Sequence, residues 1–243
     1  MSQPTLYLVD ASMYVFRAWH SMPDEFHDAD GWPTNAVHGF ARFLLELLER
    51  ERPTHIAIAF DEALDSCFRN TLYPAYKANR DPAPPELKRQ FAWCKALCKA
   101  VGLATLAHGD YEADDLIGSA AHRARGGGFR SVIVSADKDL SQCVVGSRVI
   151  CRDRLRRADR DEAGVLAKFG VPPASIPDWL ALVGDTADGI PGIPGWGEKS
   201  ASAVLARYGR LEAIPDDPTA WDVPVRGRDR LACALRERRA DVL

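Results

Sequence analysis

The chain has 243 residues, a hydrophobic fraction of 47%, a charged fraction of 27% and a net charge of −3. These values are ordinary for a soluble globular protein of one sizeable domain with a small appendage, and no apolar run approaches the length of a membrane span. The amino terminus has no basic stretch followed by an apolar block, so the sequence shows no secretion signal. We expect a cytoplasmic monomer without a membrane partner.

Short apolar runs alternate with stretches of helical periodicity through the first part of the chain. Predicted strands cover residues 5–9, 55–60, 103–106 and 130–135, and predicted helices cover residues 36–50, 84–100 and 111–125. This alternation is typical of a mostly parallel central sheet flanked by helices. The sequence therefore predicts an α/β core over residues 1–150.

The rest of the chain, residues 151–243, is predicted to be mainly helical. A Pro/Gly-rich stretch at 189–197 interrupts it, and the tail at 226–243 is a candidate for a basic helix. Within the core, residues 62–85 carry many charges and lack a clean period, which indicates a mobile insertion.

The six cysteines are scattered along the chain and show no paired CxxC spacing. Cys94 and Cys98 lie one helical turn apart, a spacing that suits half of a metal site. No second pair and no neighbouring histidine completes such a site. We therefore expect reduced thiols, as in other cytoplasmic proteins.

Acidic residues lie at, or just past, the carboxyl ends of three predicted strands. They are Asp10, Asp61 and Asp137. In open parallel sheets this edge is where binding sites form. Any one of these residues could instead cap the following helix, but three at one edge indicate a shared site.

Further acids follow at the start of helix 111–125 and in segments 137–139 and 185–188. Acids also favour the first turn of a helix, yet so many together would repel one another without cations. The complete set of nine is Asp10, Asp61, Glu112, Asp114, Asp115, Asp137, Asp139, Asp185 and Asp188. Without these nine, 25 acids face 31 bases, so the remaining surface is mildly basic and compatible with a nucleic-acid partner.

Carboxylate oxygens are the ligands that hard divalent cations such as Mg²⁺ prefer. Two such ions can activate an attacking water and stabilise the leaving oxygen of a phosphodiester. The six histidines are dispersed without zinc-like spacing, and the sequence contains neither a P-loop nor a dinucleotide fingerprint. The acids therefore predict metal-dependent hydrolysis of phosphodiesters.

Seven segments, taken in order, resemble the 5′ nuclease (flap endonuclease) family, which includes the 5′-3′ exonuclease domain of bacterial DNA polymerase I. The segments are residues 8–12, 31–40, 59–61, 76–80, 111–115, 136–139 and 184–201. Their order makes the resemblance specific over about residues 5–210. It implies a structure-specific 5′-3′ exonuclease or flap endonuclease that acts on DNA with a 5′ flap, 5′ end or branch, in replication and repair.

The resemblance also implies two positions for Mg²⁺ or Mn²⁺. The ligands that match the first position are Asp10, Asp61, Glu112 and Asp114. Those that match the second are Asp115, Asp137, Asp139, Asp185 and Asp188. Asp114 would lie near both ions and is expected to be essential for cutting.

In the family, the segment matching residues 62–85 forms a helical arch over the active site. Its predicted DNA contacts are Arg69, Tyr73, Tyr76, Lys77 and Arg80. Lys77 and Arg80 would grip the scissile phosphate as catalytic residues, and Tyr76 would stack on an unpaired base. Arg17 falls where the family has a basic residue near the site. A plain solvated loop is the alternative for this segment.

Residues 182–208 resemble a helix-hairpin-helix, whose glycines let backbone N–H groups approach a phosphate. The predicted DNA contacts are Gly192, Gly195, Gly197, Lys199 and Ser200. By position, the backbone carbonyls that would hold a K⁺ ion are those of Leu182, Val183, Pro191, Ile193 and Trp196. The alternative is a Pro/Gly-rich surface loop.

The sequence departs from the family pattern at three positions. Gly189 replaces a common Asn, His38 replaces a common aromatic residue, and Trp196 is bulkier than usual, so that it would pack on sugar or on protein. No polymerase domain follows the hairpin, so we expect a free-standing nuclease or a fragment of a longer chain. The alternatives in function are a non-catalytic protein that binds junction DNA, and a related nuclease acting on RNA or RNA–DNA hybrid.

Overall fold

One sheet of six strands organises the fold, for which a computed structural model describes residues 3–62 and 67–242. The strands are β1 (Thr5–Asp10), β2 (His55–Ala59), β3 (Ala104–Leu106), β4 (Arg130–Val134), β5 (Val149–Asp153) and β6 (Ala158–Arg160). Their order across the sheet is β3-β2-β1-β4-β5-β6. All neighbours are parallel except β5 and β6, so five strands end at the same edge.

Nine α-helices connect or follow the strands within the described residues. They are α1 (Ala11–Ser21), α2 (Asn35–Glu51), α3 (Phe68–Leu72), α4 (Pro85–Ala100), α5 (Ala113–Gly126), α6 (Glu162–Phe169), α7 (Ile176–Val183), α8 (Glu198–Tyr208) and α9 (Arg228–Val242). No described helix is long and apolar enough to cross a bilayer. The predicted α/β fold with a mostly parallel, helix-flanked sheet is confirmed.

Side chains of the sheet alternate between two hydrophobic cores, one on each face. Leu8 and Ile133 point into the first core, which they share with α5 and the helices that follow β6. Val9 and Val134 point into the second core, which α1, α2 and α4 cover. Because both faces are covered, the central strands β1, β2 and β4 are apolar along most of their length, which explains why they were predictable as continuous apolar runs.

Helix α5 begins with a reciprocal cap that also positions acids. Glu112 is its N-cap residue, and the backbone N–H of Glu112 donates to Asp115 Oδ2 at 3.0 Å. The backbone N–H of Ala113 donates to Asp61 Oδ1 at 2.7 Å, which ties the helix start to the end of β2. The same bonds that start the helix therefore fix the carboxylates of Asp61 and Asp115 at the sheet edge.

The sequence analysis did not predict α1, β5 or β6. Helix α1 follows β1 directly, because the carboxylate of Asp10 accepts the backbone N–H of Met13 and caps the helix. Strand β6 has Ala158 as its one apolar residue and pairs with β5, where Arg152 binds Asp159 through bonds of 2.6 and 2.7 Å. The sheet thus continues to residue 160, and the division of the chain near residue 150 stays a prediction.

The predicted arch insertion at 62–85 is described in part. Residues 63–66 lie outside the described residues. The remainder contains α3 and a series of turns that lead to α4, which begins at Pro85 after the N-cap Pro84.

Helices α1 and α2 pack closely because Gly39 has no side chain. A Cβ atom at Gly39 would lie 2.7 Å from the Ala18 Cβ atom, whereas one at Gly118, inside α5, would meet only Cys143 Sγ at 3.4 Å. We expect Gly39→Ala to lower the free energy of unfolding by about 1–3 kcal/mol through overpacking, despite the better helix propensity of alanine. Gly118→Ala should leave it unchanged or raise it. Urea denaturation of both variants measures the difference, and equal stabilities would contradict the tight crossing.

Candidate active site

The predicted acids gather at the carboxyl edge of the sheet. Asp10 is the last residue of β1, and Asp61 and Asp137 follow β2 and β4 by a few residues. The first turn of α5 adds Asp114, and the turn after α7 adds Asp185. Parallel pairing of β2, β1 and β4 brings these separate segments to one place.

An inner group of carboxylates consists of Asp10, Asp61, Asp114 and Asp137. Burial raises the pKa of Asp10 to about 7, with smaller contributions from the charges of Asp61 and Asp137, although hydrogen bonds from Met13 and Ser135 act to lower it. Burial likewise raises the pKa of Asp114 well above its ordinary range, with Asp10 as the strongest neighbouring charge. Ionised together, these groups would be strongly repulsive without a cation between them.

An outer group consists of Asp139, Asp185 and Asp188. Each offers a carboxylate oxygen that lies within 4.8 Å of an oxygen from each of the other two. Burial raises the pKa of Asp139 to about 7, with Asp137 as the strongest neighbouring charge. Asp137 therefore acts on both groups, and the two form one continuous acidic site.

The donor set fits divalent metal ions. Asp139 Oδ1 is buried and has no hydrogen-bond partner among residues 3–62 and 67–242. An unpartnered buried carboxylate oxygen is costly unless a cation binds it. All candidate ligands here are carboxylates, the donors that Mg²⁺ and Mn²⁺ prefer.

Three cations of the predicted arch lie against the acidic site. Arg69 donates two bonds, of 2.8 and 2.7 Å, to the carboxylate of Asp115. Lys77 Nζ lies 2.7 Å from Glu112 Oε1, and Arg80 donates to Asp188 at 2.7 Å. These are the catalytic and DNA-binding candidates from the sequence, and in this structure they neutralise part of the acidic site.

The arch also binds main-chain carbonyl groups of the turn after α7. The backbone N–H of Lys77 donates to the carbonyl of Asp188 at 2.9 Å, with Lys77 in the left-handed region at a φ of 53°. Asn79 Nδ2 donates to the carbonyl of Thr186 at 2.9 Å, and the Tyr73 hydroxyl donates to the carbonyl of Gly189 at 3.3 Å. The described part of the arch is therefore closed over the acids.

The two arch tyrosines differ in exposure. Tyr76 is buried, and its hydroxyl donates to Glu112 at 2.8 Å. Tyr73 is 40% exposed and presents its ring to solvent. Stacking of Tyr76 on a base stays a prediction, and it would require the Tyr76 ring to leave its present contacts.

The predicted helix-hairpin-helix comprises α7, a glycine-rich turn and α8. Gly184 and Gly192 both have positive φ, and a Cβ atom at Gly192 would lie 2.6 Å from the Val183 carbonyl oxygen. The two backbones are therefore in direct contact. Gly197 caps α8, where Ser200 Oγ accepts its N–H at 3.0 Å, and Lys199 is exposed beside it.

Trp196 packs on protein. It is buried, its indole N–H donates to the carbonyl of Leu231 in α9 at 3.1 Å, and its ring lies 6.0 Å from that of Trp221. The carbonyls of Leu182 and Ile193, both predicted cation ligands, each accept one backbone N–H. A carbonyl oxygen has a second lone pair that could still bind a cation, so the K⁺ site stays a prediction.

Two residues that orient the acids were not singled out from the sequence. Lys138 Nζ lies 2.6 Å from Asp185 Oδ2. Burial acts to raise the pKa of Asp185, but the Lys138 ammonium holds that pKa below its ordinary range. The Ser135 hydroxyl donates to Asp10 Oδ2 at 2.9 Å. Both lie in the acid-bearing segment after β4, so their position beside Asp137 was the available signal.

Arg17 is exposed on α1 and lines a cavity with Tyr14 and Arg154. It makes no salt bridge within the part of the chain that the structure describes. Its predicted role in binding DNA stays a prediction.

Comparison with known families matches nearly the whole chain. Residues 5–170 match the family described as 5′-3′ exonuclease, N-terminal resolvase-like domain. Residues 171–242 match the family described as 5′-3′ exonuclease, C-terminal SAM fold.

Two relatives and one solved structure illustrate the similarity. The 5′-3′ exonuclease of Aquifex aeolicus is 40% identical over 210 residues, which are 86% of this chain and 72% of that protein. DNA polymerase I of Mycobacterium bovis is 39% identical over 246 residues, and the chain spans 26% of its length. The flap endonuclease of bacteriophage T5, in a complex with DNA and metal ions, has a TM-score of 0.76 at 19% identity, over 98% of this chain and 86% of that one.

The raised pKa of Asp10 predicts how stability depends on pH without metal. In the folded protein the carboxyl holds its proton up to about pH 7, whereas its ordinary pKa is 3.8. Its contribution to stability is therefore complete below pH 3.8 and is lost as the pH rises through about 7. We expect the melting temperature in EDTA to fall between about pH 5 and about pH 8, and Asp10→Asn to reduce that fall.

Asp229→Asn is the matched control, because the Asp229 side chain is 85% exposed on α9. It should reproduce the wild-type pH dependence, and added Mg²⁺ should stabilise the wild type most at the higher pH, where the acids are ionised. A melting temperature that rises with pH in EDTA would contradict the burial of these carboxylates.

Proposed function

The chain belongs to the 5′-3′ exonuclease family, and we propose that it is a structure-specific nuclease that hydrolyses DNA phosphodiesters at 5′ flaps, 5′ ends or branches. The observation that carries the proposal is the continuous acidic site, in which buried carboxylates with raised pKa values face the cations of the arch. Such a site suits the chemistry of two divalent ions acting on a phosphodiester.

The residues that would hold two Mg²⁺ or Mn²⁺ ions follow the two ligand sets of the family. The first set is Asp10, Asp61, Glu112 and Asp114, and the second is Asp115, Asp137, Asp139, Asp185 and Asp188. When bound, such ions lower the pKa of a water and neutralise charge on the leaving oxygen. A K⁺ ion in the hairpin is part of the same proposal.

The arch residues would bind and orient the scissile phosphate. Lys77 and Arg80 now pair with Glu112 and Asp188, and binding of metal by those acids would release both cations. A phosphate entering the site would then replace the carboxylates as their partner. A fixed cation beside the reacting phosphate stabilises the charge that develops in the transition state.

The hairpin would position the duplex without recognising its base sequence. Its glycines bring backbone N–H groups to the surface ahead of α8, and Lys199 adds a cation at the same place. Contacts of this kind bind the phosphate backbone, so cutting is expected to depend on the structure of the DNA.

Removal of one central carboxylate tests the proposal. We expect Asp114→Asn to lower the rate of cleavage of a 5′-labelled flap duplex by at least about 1000-fold, because the ions lose a shared ligand, and to change DNA affinity less than about threefold. Asp229→Asn, on the exposed surface of α9, is the control and should cut at the wild-type rate. Cleavage is measured with Mg²⁺, with Mn²⁺ and with EDTA.

Metal-dependent release of short 5′ products that stops in EDTA would support the proposal. Tight flap binding by the wild type without cleavage in either metal would overturn it in favour of a non-catalytic junction-binding protein. Faster cutting of an RNA or hybrid strand of the same shape would overturn DNA as the substrate.

Lys77 tests the role of the arch separately from the metal ligands. Lys77→Met removes the ammonium that lies 2.7 Å from Glu112 and should reduce the single-turnover rate by about 100-fold. Lys99→Met, an exposed lysine in the last turn of α4, is the matched control and should leave the rate unchanged. A Lys77→Met rate equal to that of the control would exclude a catalytic role for the arch.

A further inference from the structure

A series of contacting rings leads from the acidic site to the surface beside β3. We call it the aromatic ladder, and its members in the order of their contacts are Tyr76, Arg69, Phe68, Tyr111 and His108. The Arg69 guanidinium carbon lies 5.7 Å from the ring centroid of Tyr76 and 4.8 Å from that of Phe68. Ring centroids are 5.4 Å apart between Phe68 and Tyr111, and 5.0 Å apart between Tyr111 and His108. The ladder is therefore continuous over all five side chains.

The two ends of the ladder differ in exposure. Tyr76 is buried at the inner end, where its hydroxyl bonds to Glu112. At the outer end Phe68 is 36% exposed, Tyr111 is 44% exposed, and the side chain of His108 is 50% exposed. Adjoining exposed aromatic rings mark a binding surface more often than a single exposed ring does.

Backbone hydrogen bonds hold the outer rings in place. The N–H of Phe68 donates to the carbonyl of Asp110 at 3.1 Å, which joins the start of α3 to the loop before α5. The N–H of Asp110 donates to Nδ1 of His108 at 3.1 Å, which orients the imidazole ring. Because the rings are held before a ligand arrives, binding to them costs little conformational entropy.

The ligand that fits such a surface is an unpaired nucleobase. Bases within a duplex already stack on their neighbours, whereas the faces of bases in a single strand are free to stack on aromatic side chains. The guanidinium of Arg69 adds a planar cation, which also stacks on rings. The chemistry of the ladder therefore favours single-stranded nucleic acid over duplex.

The position of the ladder favours the strand that is to be cut. Its inner end contacts the acids, since the Tyr76 hydroxyl lies 2.8 Å from Glu112 and 3.3 Å from Asp188. The hairpin is attached on the other side of the site, where Asp185 after α7 binds Lys138 after β4. Strands β3 and β4 lie on opposite sides of β1. A strand whose duplex lies on the hairpin would thus extend its unpaired part toward β3.

We propose that the aromatic ladder binds the unpaired 5′ strand beyond the arch, with Phe68, Tyr111 and His108 stacking on its bases. This inference rests on the proposed nuclease function and deepens it by assigning a site to the strand that is released. Every base has a face that can stack, so the ladder binds without reading sequence. It gives the nuclease a higher affinity for 5′ strands that are long enough to reach the outer rings.

The test separates stacking of bases from attraction of phosphates. Three DNAs share one duplex and differ in the 5′ single strand, which has about one nucleotide, about ten thymidines, or about ten abasic residues. The abasic strand keeps the charge of the thymidine strand and lacks its bases. The variant is His108→Leu with Tyr111→Leu, which keeps apolar bulk and removes both rings. Affinity is measured by fluorescence anisotropy in EDTA.

Stacking on an aromatic side chain contributes about 5- to 150-fold in affinity per base. We expect the wild type to bind the thymidine strand at least about tenfold more tightly than the abasic strand, and the variant to bind both strands alike. All proteins should bind the short strand equally, which shows that the variant is folded. The salt dependence should not change, because stacking releases no counterions.

His55→Leu with Phe129→Leu is the matched control. It removes an imidazole and a phenyl ring whose centroids also lie 5.0 Å apart, at the amino edge of the sheet and away from the acids. This control should keep the wild-type preference for the thymidine strand.

A wild type without that preference would overturn the ladder as a binding site, and the rings would then serve packing of α3 or a protein partner. A preference that persists in the ladder variant would place the base contacts elsewhere, and an equal loss on all three DNAs would place the effect in the acidic site. The proposed function fails differently, since a wild type that does not cut flap DNA with Mg²⁺ or Mn²⁺ would remove the nuclease itself.

Discussion

The structure depends on one unfavourable arrangement, the burial of several carboxylates beside one another at the end of a parallel sheet. Burial, aided by the charges of neighbouring acids, raises the pKa values of Asp10 and Asp139 to about 7. The apolar strands that place these groups are buried along most of their length. The fold therefore stabilises a site whose charges need an external cation, a combination that is characteristic of function rather than of stability.

The arch supplies part of that compensation from within the chain. Arg69, Lys77 and Arg80 each pair with an acid that is also a candidate metal ligand. The same acids can therefore attract either an ion or the arch, and the same cations can attract either the acids or a phosphate. Binding of metal and of DNA would thus be coupled. Metal bound to the acids would free the arch cations for a phosphate, and a phosphate bound to the cations would free the acids for metal.

The sequence predicted most of the fold because its core strands are continuous apolar runs that end in acids, as at Val9–Asp10 in β1. It did not predict β6, which is held by the pairing of its Asp159 with Arg152 of β5 and not by an apolar run of its own. The acids were identified from the sequence, but their partners were not. Lys138 and Ser135 act through contacts with Asp185 and Asp10 that only the folded chain brings together.

The main-chain bond between Lys77 and Asp188 has a consequence for observing the arch. This bond does not involve the Lys77 side chain, so it persists in side-chain variants and breaks only when the arch lifts from the turn after α7. The amide proton of Lys77 is thus protected from exchange with solvent in the closed state and exposed in the open one. Any opening of the arch would therefore be measured at this single backbone proton, with metal, with DNA or with neither.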